Sequence, residues 1–173
     1  MAYDEWNRGT GNGYSNALYT ADGLGVFGQQ AVDLASFWGL DDASYPSAYA
    51  YLMYRNYDGD GSAFGDTSVA ATSADTTRLT IYGAQRTADS ALTILVVNSA
   101  STTQTSTLTL SGITVQQPVL VYQYTSANAS KIVQLSPLAP AAALTVAFPA
   151  QSLTLLVVPS GTTPLAHARA VRR

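Results

Sequence analysis

The 173-residue chain has no cysteine, a single glutamate (Glu5), a single histidine (His167), and charged residues at only 11% of its positions, against roughly 25% in an ordinary globular domain. Each shortage excludes something. Without cysteine there are no disulfides, thiolate nucleophiles or zinc–thiolate sites, and the redox compartment stays open. One glutamate and one histidine rule out any mechanism that needs a pair of either. No apolar run approaches the ~20 residues of a membrane-spanning helix, and the opening stretch MAYDEWNRG lacks the basic and apolar segments of a signal peptide. Neither a membrane nor a signal peptide is therefore read from this chain. Basic residues are also sparse: three of the eight (Arg169, Arg172, Arg173) lie in the last five positions, and the net charge is −3. Phosphate binding needs a concentrated basic surface, so no nucleic acid partner is expected.

What remains is 47% apolar and rich in Ser, Thr, Ala, Gly and Tyr, with eleven tyrosines beside two tryptophans. The surface is neutral, hydroxyl-rich and aromatic. The length gives room for one good core and is too short for a complete barrel enzyme.

Two unlike halves meet near residues 59–65. Residues 1–60 carry Gly, Tyr, Asp and helix-period apolar positions, whereas 66–159 carry Thr, Val, Leu and Ser in strand-period alternation. The first half reads as a short strand at 2–6, a Gly-Asn loop at 9–12, a helix at 15–30, a short apolar strand at 32–38 and a helix at 48–57 with Pro46 at its start. That order, strand, helix, strand, helix, is the alternation of a parallel α/β layer, with too few strands to close. The second half reads as strands at about 67–72, 78–86, 91–98, 104–110, 119–124, 131–135, 144–148 and 152–158. Seven or eight short strands at this spacing predict an antiparallel β-sandwich. The continuous apolar runs 92–97 and 153–158 suit central strands, and 79–82 and 107–110 alternate as half-buried strands do. The expected organisation is thus a mainly β chain: a βαβα segment over 1–60, a β-sandwich over 61–159, and a flexible tail over 160–173.

Four features could carry chemistry. Tyr3-Asp4-Glu5-Trp6-Asn7 places a carboxylate between an aromatic and an amide at a strand end, a constellation suited to sugar hydrolysis. Asp58-Gly59-Asp60-Gly61-Ser62, with Asp66 downstream, is an oxygen-rich loop of the sort that takes Ca2+; the alternative is a plain Asp/Gly turn. Asn128-Ala129-Ser130 fits a glycosylation acceptor. The tyrosines Tyr45, Tyr49, Tyr51, Tyr54 and Tyr57 fit a seam between two layers better than a sugar platform. That leaves Tyr82, Tyr122 and Tyr124 on the sandwich as candidates for stacking on a sugar. His167 has no partners nearby in sequence and is read as inert.

Several strings together resemble the C-terminal third of glycoside hydrolase family 44. They are Glu5-Trp6-Asn7-Arg8-Gly9, Ala21-Asp22-Gly23-Leu24-Gly25-Val26-Phe27-Gly28, Val32-Asp33-Leu34-Ala35 with Trp38, and above all Tyr54-Arg55-Asn56-Tyr57-Asp58-Gly59 running to Phe64-Gly65-Asp66-Thr67-Ser68-Val69. The first string is shared more loosely with family 51 arabinofuranosidases. Family 44 comprises endo-β-1,4-glucanases and xyloglucanases built from a (β/α)8 barrel and an attached β-sandwich. The resemblance spans nearly all of 3–159 and implies that 1–60 correspond to the last two βα units of the barrel. It implies further that Glu5 is the nucleophile, that Trp6, Asn7 and Trp38 lie on the substrate side, and that the parent enzyme works outside the cell on β-glucan or xyloglucan. A retaining mechanism needs a second carboxyl group, the acid/base. In the family it belongs to an earlier barrel strand, and this chain has no second glutamate; Asp4 is excluded because neighbours on a strand point to opposite faces. The chain alone is expected to be weakly active or inactive, its apolar remnant covered by the sandwich, by the missing barrel segment or by self-association. The alternatives are a carbohydrate-binding module or a small β-glucan-active protein. No cofactor beyond Ca2+ is suggested.

Overall fold

The computed structural model describes residues 1–7, 13–40 and 42–161. Arg8, part of the first string, and His167 lie outside the described residues, as does all of the expected tail from residue 162 onward.

The first half contains β1 (Ala2–Trp6), α1 (Ser15–Gln29), β2 (Leu34–Phe37) and α2 (Pro46–Arg55). Strands β1 and β2 pair in parallel. Pro46 occupies the first turn of α2, where its missing N–H is no loss and its fixed φ suits the helix. The helices meet through small residues: Ala17, Ala21, Ala48 and Ala50 are buried, and Thr20 donates to Ser47 between them.

The second half contains β3 (Thr67–Val69), β4 (Leu79–Gln85), β5 (Leu92–Asn98), β6 (Gln104–Thr109), β7 (Val119–Thr125), β8 (Asn128–Leu138), β9 (Ala143–Phe148) and β10 (Ser152–Val158). Six strands form an antiparallel sheet in the order β3-β4-β5-β10-β7-β8, and β6 pairs with β9 in a separate sheet of two. The sandwich is therefore lopsided. Its two central strands, β5 and β10, are the two continuous apolar runs of the sequence, because both their faces are covered. Leu95, Val97, Leu153, Leu155 and Val157 face the helices. Ile94, Val96, Leu156 and Val158 face β6 and β9, whose Leu108, Leu144, Val146 and Phe148 complete a second core.

The strand around residues 79–82 is half-buried, as its alternation predicts: Leu79, Thr80 and Ile81 stay partly exposed, with Thr80 and Tyr82 pointing to α1, where both hydroxyls donate to the Asp22 carboxylate, and Leu79 and Ile81 packing on the opposite core. One boundary is corrected. Residues 128–138 form one long strand in place of the short one expected at 131–135, with Thr125 paired to Asn128 across a two-residue hairpin. Pro137 is tolerated within it because β8 is an edge strand.

Helix α1 is held between two layers by two glycines. A Cβ on Gly25 would lie 2.4 Å from the Tyr82 ring, and one on Gly23 would lie 2.8 Å from the Trp6 indole. The helix backbone thus touches the large sheet on one side and β1 on the other. α2 supplies the tyrosine seam. Tyr49 stacks on Tyr124 with centroids 4.7 Å apart and donates to the Ser130 carbonyl; Tyr54 donates to the Ala21 carbonyl; Tyr57 is buried against Tyr122. Tyr51 turns the other way, edge-on to Phe37 of β2. The βαβα segment covers its apolar face by folding onto the sandwich, sharing one core with it.

Candidate active site

The carboxyl ends of β1 and β2 are tied by two hydrogen bonds: the Trp38 amide donates to the Trp6 carbonyl at 3.0 Å, and the Asn7 side-chain amide donates to the Trp38 carbonyl at 2.9 Å. Glu5 is exposed on β1, and the Trp38 side of the pair is open, with that residue 64% exposed. Glu5, Asn7 and Trp38 thus lie on residues towards the carboxyl end of a parallel strand pair, where α/β folds place their ligands.

The strand pairing is irregular at Glu5. Ala2 and Tyr3 pair with Leu34 and Ala35, but Trp6 pairs with Phe37, so three steps on β1 match two on β2. One extra residue is accommodated at Asp4–Glu5, a bulge of the sort that re-aims a side chain. Its consequence is visible next door: Tyr3 and Trp6, an odd number of residues apart, both contact Phe27. Strict alternation does not hold here, so opposite strand faces do not separate Asp4 from Glu5. Asp4 is instead engaged by its own strand, its Oδ1 accepting the Glu5 amide.

Trp6 differs from its sequence assignment. Its indole is wedged edge-on between Phe27 and Phe37, at 4.8 and 4.9 Å, with the α1 backbone at Gly23 against it. Its Nε1 is buried without a hydrogen-bond partner. It is a packing residue that holds β1, β2 and α1 together, not an open face for a sugar.

The three sandwich tyrosines are corrected for a related reason. Tyr82, Tyr122 and Tyr124 are 5%, 6% and 0% exposed, because they lie on the sheet face that α1 and α2 cover. Burial pushes the Tyr124 hydroxyl up to about 12, with Tyr49 adding to the effect, and Tyr122 rises in the same direction.

The acidic loop is a turn. Asp58 Oδ1 accepts the amides of Asp60 and Ser62, Asn56 accepts that of Gly61, and Gly59 and Gly61 take φ of 85° and 93°, open to glycine at little cost. Asp66 is engaged elsewhere, accepting the backbone amide and hydroxyl of Thr87, which holds its carboxyl below the usual range. Among the described residues no group of three or more His, Cys, Asp or Glu side chains could hold a metal ion. The Ca2+ reading of Asp58, Asp60 and Asp66 is not supported, because Asp58 is turned onto its own loop's amides and Asp66 onto Thr87.

Sequence reasoning missed Asp22. It sits within one of the quoted strings, yet its partners Thr80 and Tyr82 lie about sixty residues away. Only its position among small residues on a buried helix face could have signalled it.

Fold and site define a partial α/β unit bearing a strand-end carboxylate, seated on an antiparallel sandwich. Comparison with known proteins shows what this unit is similar to. A bifunctional glucanase-xylanase from a metagenome library is 41% identical, with a TM-score of 0.86, over 92% of this chain and 31% of its own. A Paenibacillus polymyxa xyloglucanase of glycoside hydrolase family 44, solved with xyloglucan, is 28% identical with a TM-score of 0.83, over 92% of this chain and 32% of its own. The beta-mannanase/endoglucanase A of Caldicellulosiruptor saccharolyticus is 39% identical over 99 residues, which are 57% of this chain and 7% of that protein. No family model matches. The chain therefore spans about a third of the similar structures and a small fraction of the curated relative. The resemblance to the C-terminal part of family 44 read in the sequence holds. No described helix is long and apolar enough to cross a membrane.

Proposed function

We propose that this chain is the nucleophile-bearing portion of a retaining endo-β-1,4-glucanase or xyloglucanase. The observation that carries the reading is Glu5, exposed at the carboxyl end of β1 beside the Asn7–Trp38 bond, on a scaffold 41% identical to a glucanase-xylanase.

In this reading Glu5 attacks the anomeric carbon, and a second carboxyl group about 5–5.5 Å away protonates the departing glycosidic oxygen; water later releases the sugar from Glu5. Trp38 offers its exposed indole to a pyranose face, and Asn7 orients the strand ends. Asp4, turned onto a backbone amide, does not serve as the acid. That group comes from polypeptide outside this chain, which also covers the free edges of β1 and β2 and the exposed Met1, Tyr3 and Leu34. Residues 61–159 act as the support on which the site-bearing residues 1–60 are mounted, and the complete enzyme works outside the cell on β-glucan.

The test is turnover of xyloglucan and soluble cellulose derivatives by the chain and by Glu5→Gln. Both are expected to show little or no hydrolysis. Robust hydrolysis by the chain, abolished in the variant, would show that no outside acid is needed and overturn the division of the catalytic pair. A binding-module reading is checked alongside by retention on insoluble cellulose; the burial of Tyr82, Tyr122 and Tyr124 predicts none through the sandwich.

A further inference from the structure

Asn7 and Trp38 each follow directly on a strand of the parallel pair, and each opens a connection of eight residues that leads to a helix: 7–14 to α1 and 38–45 to α2. The far ends of both connections meet one residue of the sandwich. Tyr14, the residue before α1, stacks on Tyr124 of β7 with ring centroids 5.2 Å apart, and Tyr49, in the first turn of α2, stacks on the same ring at 4.7 Å. Tyr124 is fully buried. Its main chain is engaged as well, since the Tyr14 hydroxyl donates to the Tyr124 carbonyl at 3.0 Å.

The hairpin that presents Tyr124 is irregular around this stack. Gln123 pairs with Val133 and Thr125 with Asn128, so five steps on β8 face two on β7, and the three extra residues bulge from the ladder. Successive carbonyls of a regular strand point in opposite directions. Here those of Ala129 and Ser130 both accept tyrosine hydroxyls, from Tyr124 at 3.0 Å and from Tyr49 at 2.6 Å.

We propose, resting on the reading of Asn7 and Trp38 as substrate-side residues, that Tyr124 is a positioning residue for the site. By holding the starts of α1 and α2 against one ring, it fixes the far ends of the two connections that Asn7 and Trp38 open. Their near ends are already tied by the Asn7 side-chain bond to the Trp38 carbonyl. Both connections are therefore clamped at both ends, and side chains on a frame locked by packing hold their geometry. Simple adhesion of the two layers does not need this arrangement. Tyr54, bonded to the Ala21 carbonyl, ties helix to helix, and Tyr57, against Tyr122, ties the end of α2 to the sheet; Tyr124 gathers both helix starts.

The test uses the full chain, isotope-labelled, and follows hydrogen exchange of the Trp38 amide, which donates to the Trp6 carbonyl. Tyr124→Leu removes both ring stacks and is expected to speed this exchange about tenfold, whereas Tyr124→Phe keeps the ring and should stay within about twofold of the parent. Tyr49→Leu removes one stack and should act in the same direction, which keeps the test open if Tyr124→Leu does not fold. Leu108→Ala, in the core on the opposite face of the large sheet, controls for general destabilisation and should also stay within about twofold. Unchanged Trp38 exchange in the Leu variants would overturn the proposal. So would acceleration by Tyr124→Phe or Leu108→Ala equal to that by Tyr124→Leu. The measurement needs no substrate, so its outcome stands apart from the hydrolysis test of Glu5.

Discussion

Two glycines on one helix provide a sharp test of how α1 is seated. Gly25 and Gly28 both lie in α1, and replacing either by Ala relieves about 1 kcal/mol of helix propensity. Their surroundings differ. A Cβ on Gly28 meets nothing within 4 Å, whereas one on Gly25 would stand 2.4–2.5 Å from three atoms of the Tyr82 ring. Ordinary carbon contacts are about 3.5–4.0 Å, so the ring or the helix must retreat by about 1 Å. Tyr82 cannot swing aside, since it is buried and its hydroxyl is bonded to Asp22. Overpacking of this kind costs about 1–3 kcal/mol. With the upper figure, Gly25→Ala is expected to lose about 2 kcal/mol and Gly28→Ala to gain about 1. With a urea slope of about 2 kcal/mol/M, the two variants should differ in unfolding midpoint by about 1.5 M. Circular dichroism during urea titration measures it. Equal midpoints, or a more stable Gly25→Ala, would refute the close approach and with it the link from the large sheet through α1 to β1.

Further outcomes follow from the same packing. Asn98 is fully buried and donates to the carbonyls of Thr102, Phe148 and Pro149 while accepting the Ala100 amide; Asn98→Ala leaves several of these unpaired and should cost about 3 kcal/mol, read by urea denaturation. Arg86 forms a two-pronged pair with Asp89 and also reaches Tyr57 and the Ala63 carbonyl, so Arg86→Met should cost about 2 kcal/mol and the loss should persist in high salt. Burial holds Tyr51 and Tyr124 near 12, above the ordinary value of about 10. The neutral form is the one the fold favours, so this stability is complete below about pH 10 and is lost as pH rises towards 12; tyrosinate absorbance should lag until the circular dichroism signal collapses. Trp38, exposed while Trp6 is enclosed, should account for nearly all acrylamide quenching of fluorescence, and Trp38→Phe should abolish it.

Much of the architecture was legible because local pattern and tertiary role coincide. Alternation located the strands, and two unbroken apolar runs marked β5 and β10 as central. The order strand, helix, strand, helix, with Pro46 opening the second helix, outlined the parallel pair. The Glu5-Trp6-Asn7 string pointed to the strand end where the carboxylate is in fact exposed. Boundaries were less legible, since hairpin chemistry at Thr125–Asn128 and an edge position for Pro137 depend on partners that no local window contains.

The sequence by itself determined which residues form strands and helices, that the chain carries a single glutamate, and which relatives the chain resembles. Only the tertiary structure decided what each face meets. Alternation says that Tyr82, Tyr122 and Tyr124 share a kind of face, but not that two helices lie upon it; an Asp-rich loop displays oxygens, but not that Asp58 is turned onto the loop's own amides. The same holds for the bulge at Asp4–Glu5. Each depends on register or on neighbours distant in the chain, and such contacts are fixed by packing, whose partners a local sequence pattern does not name.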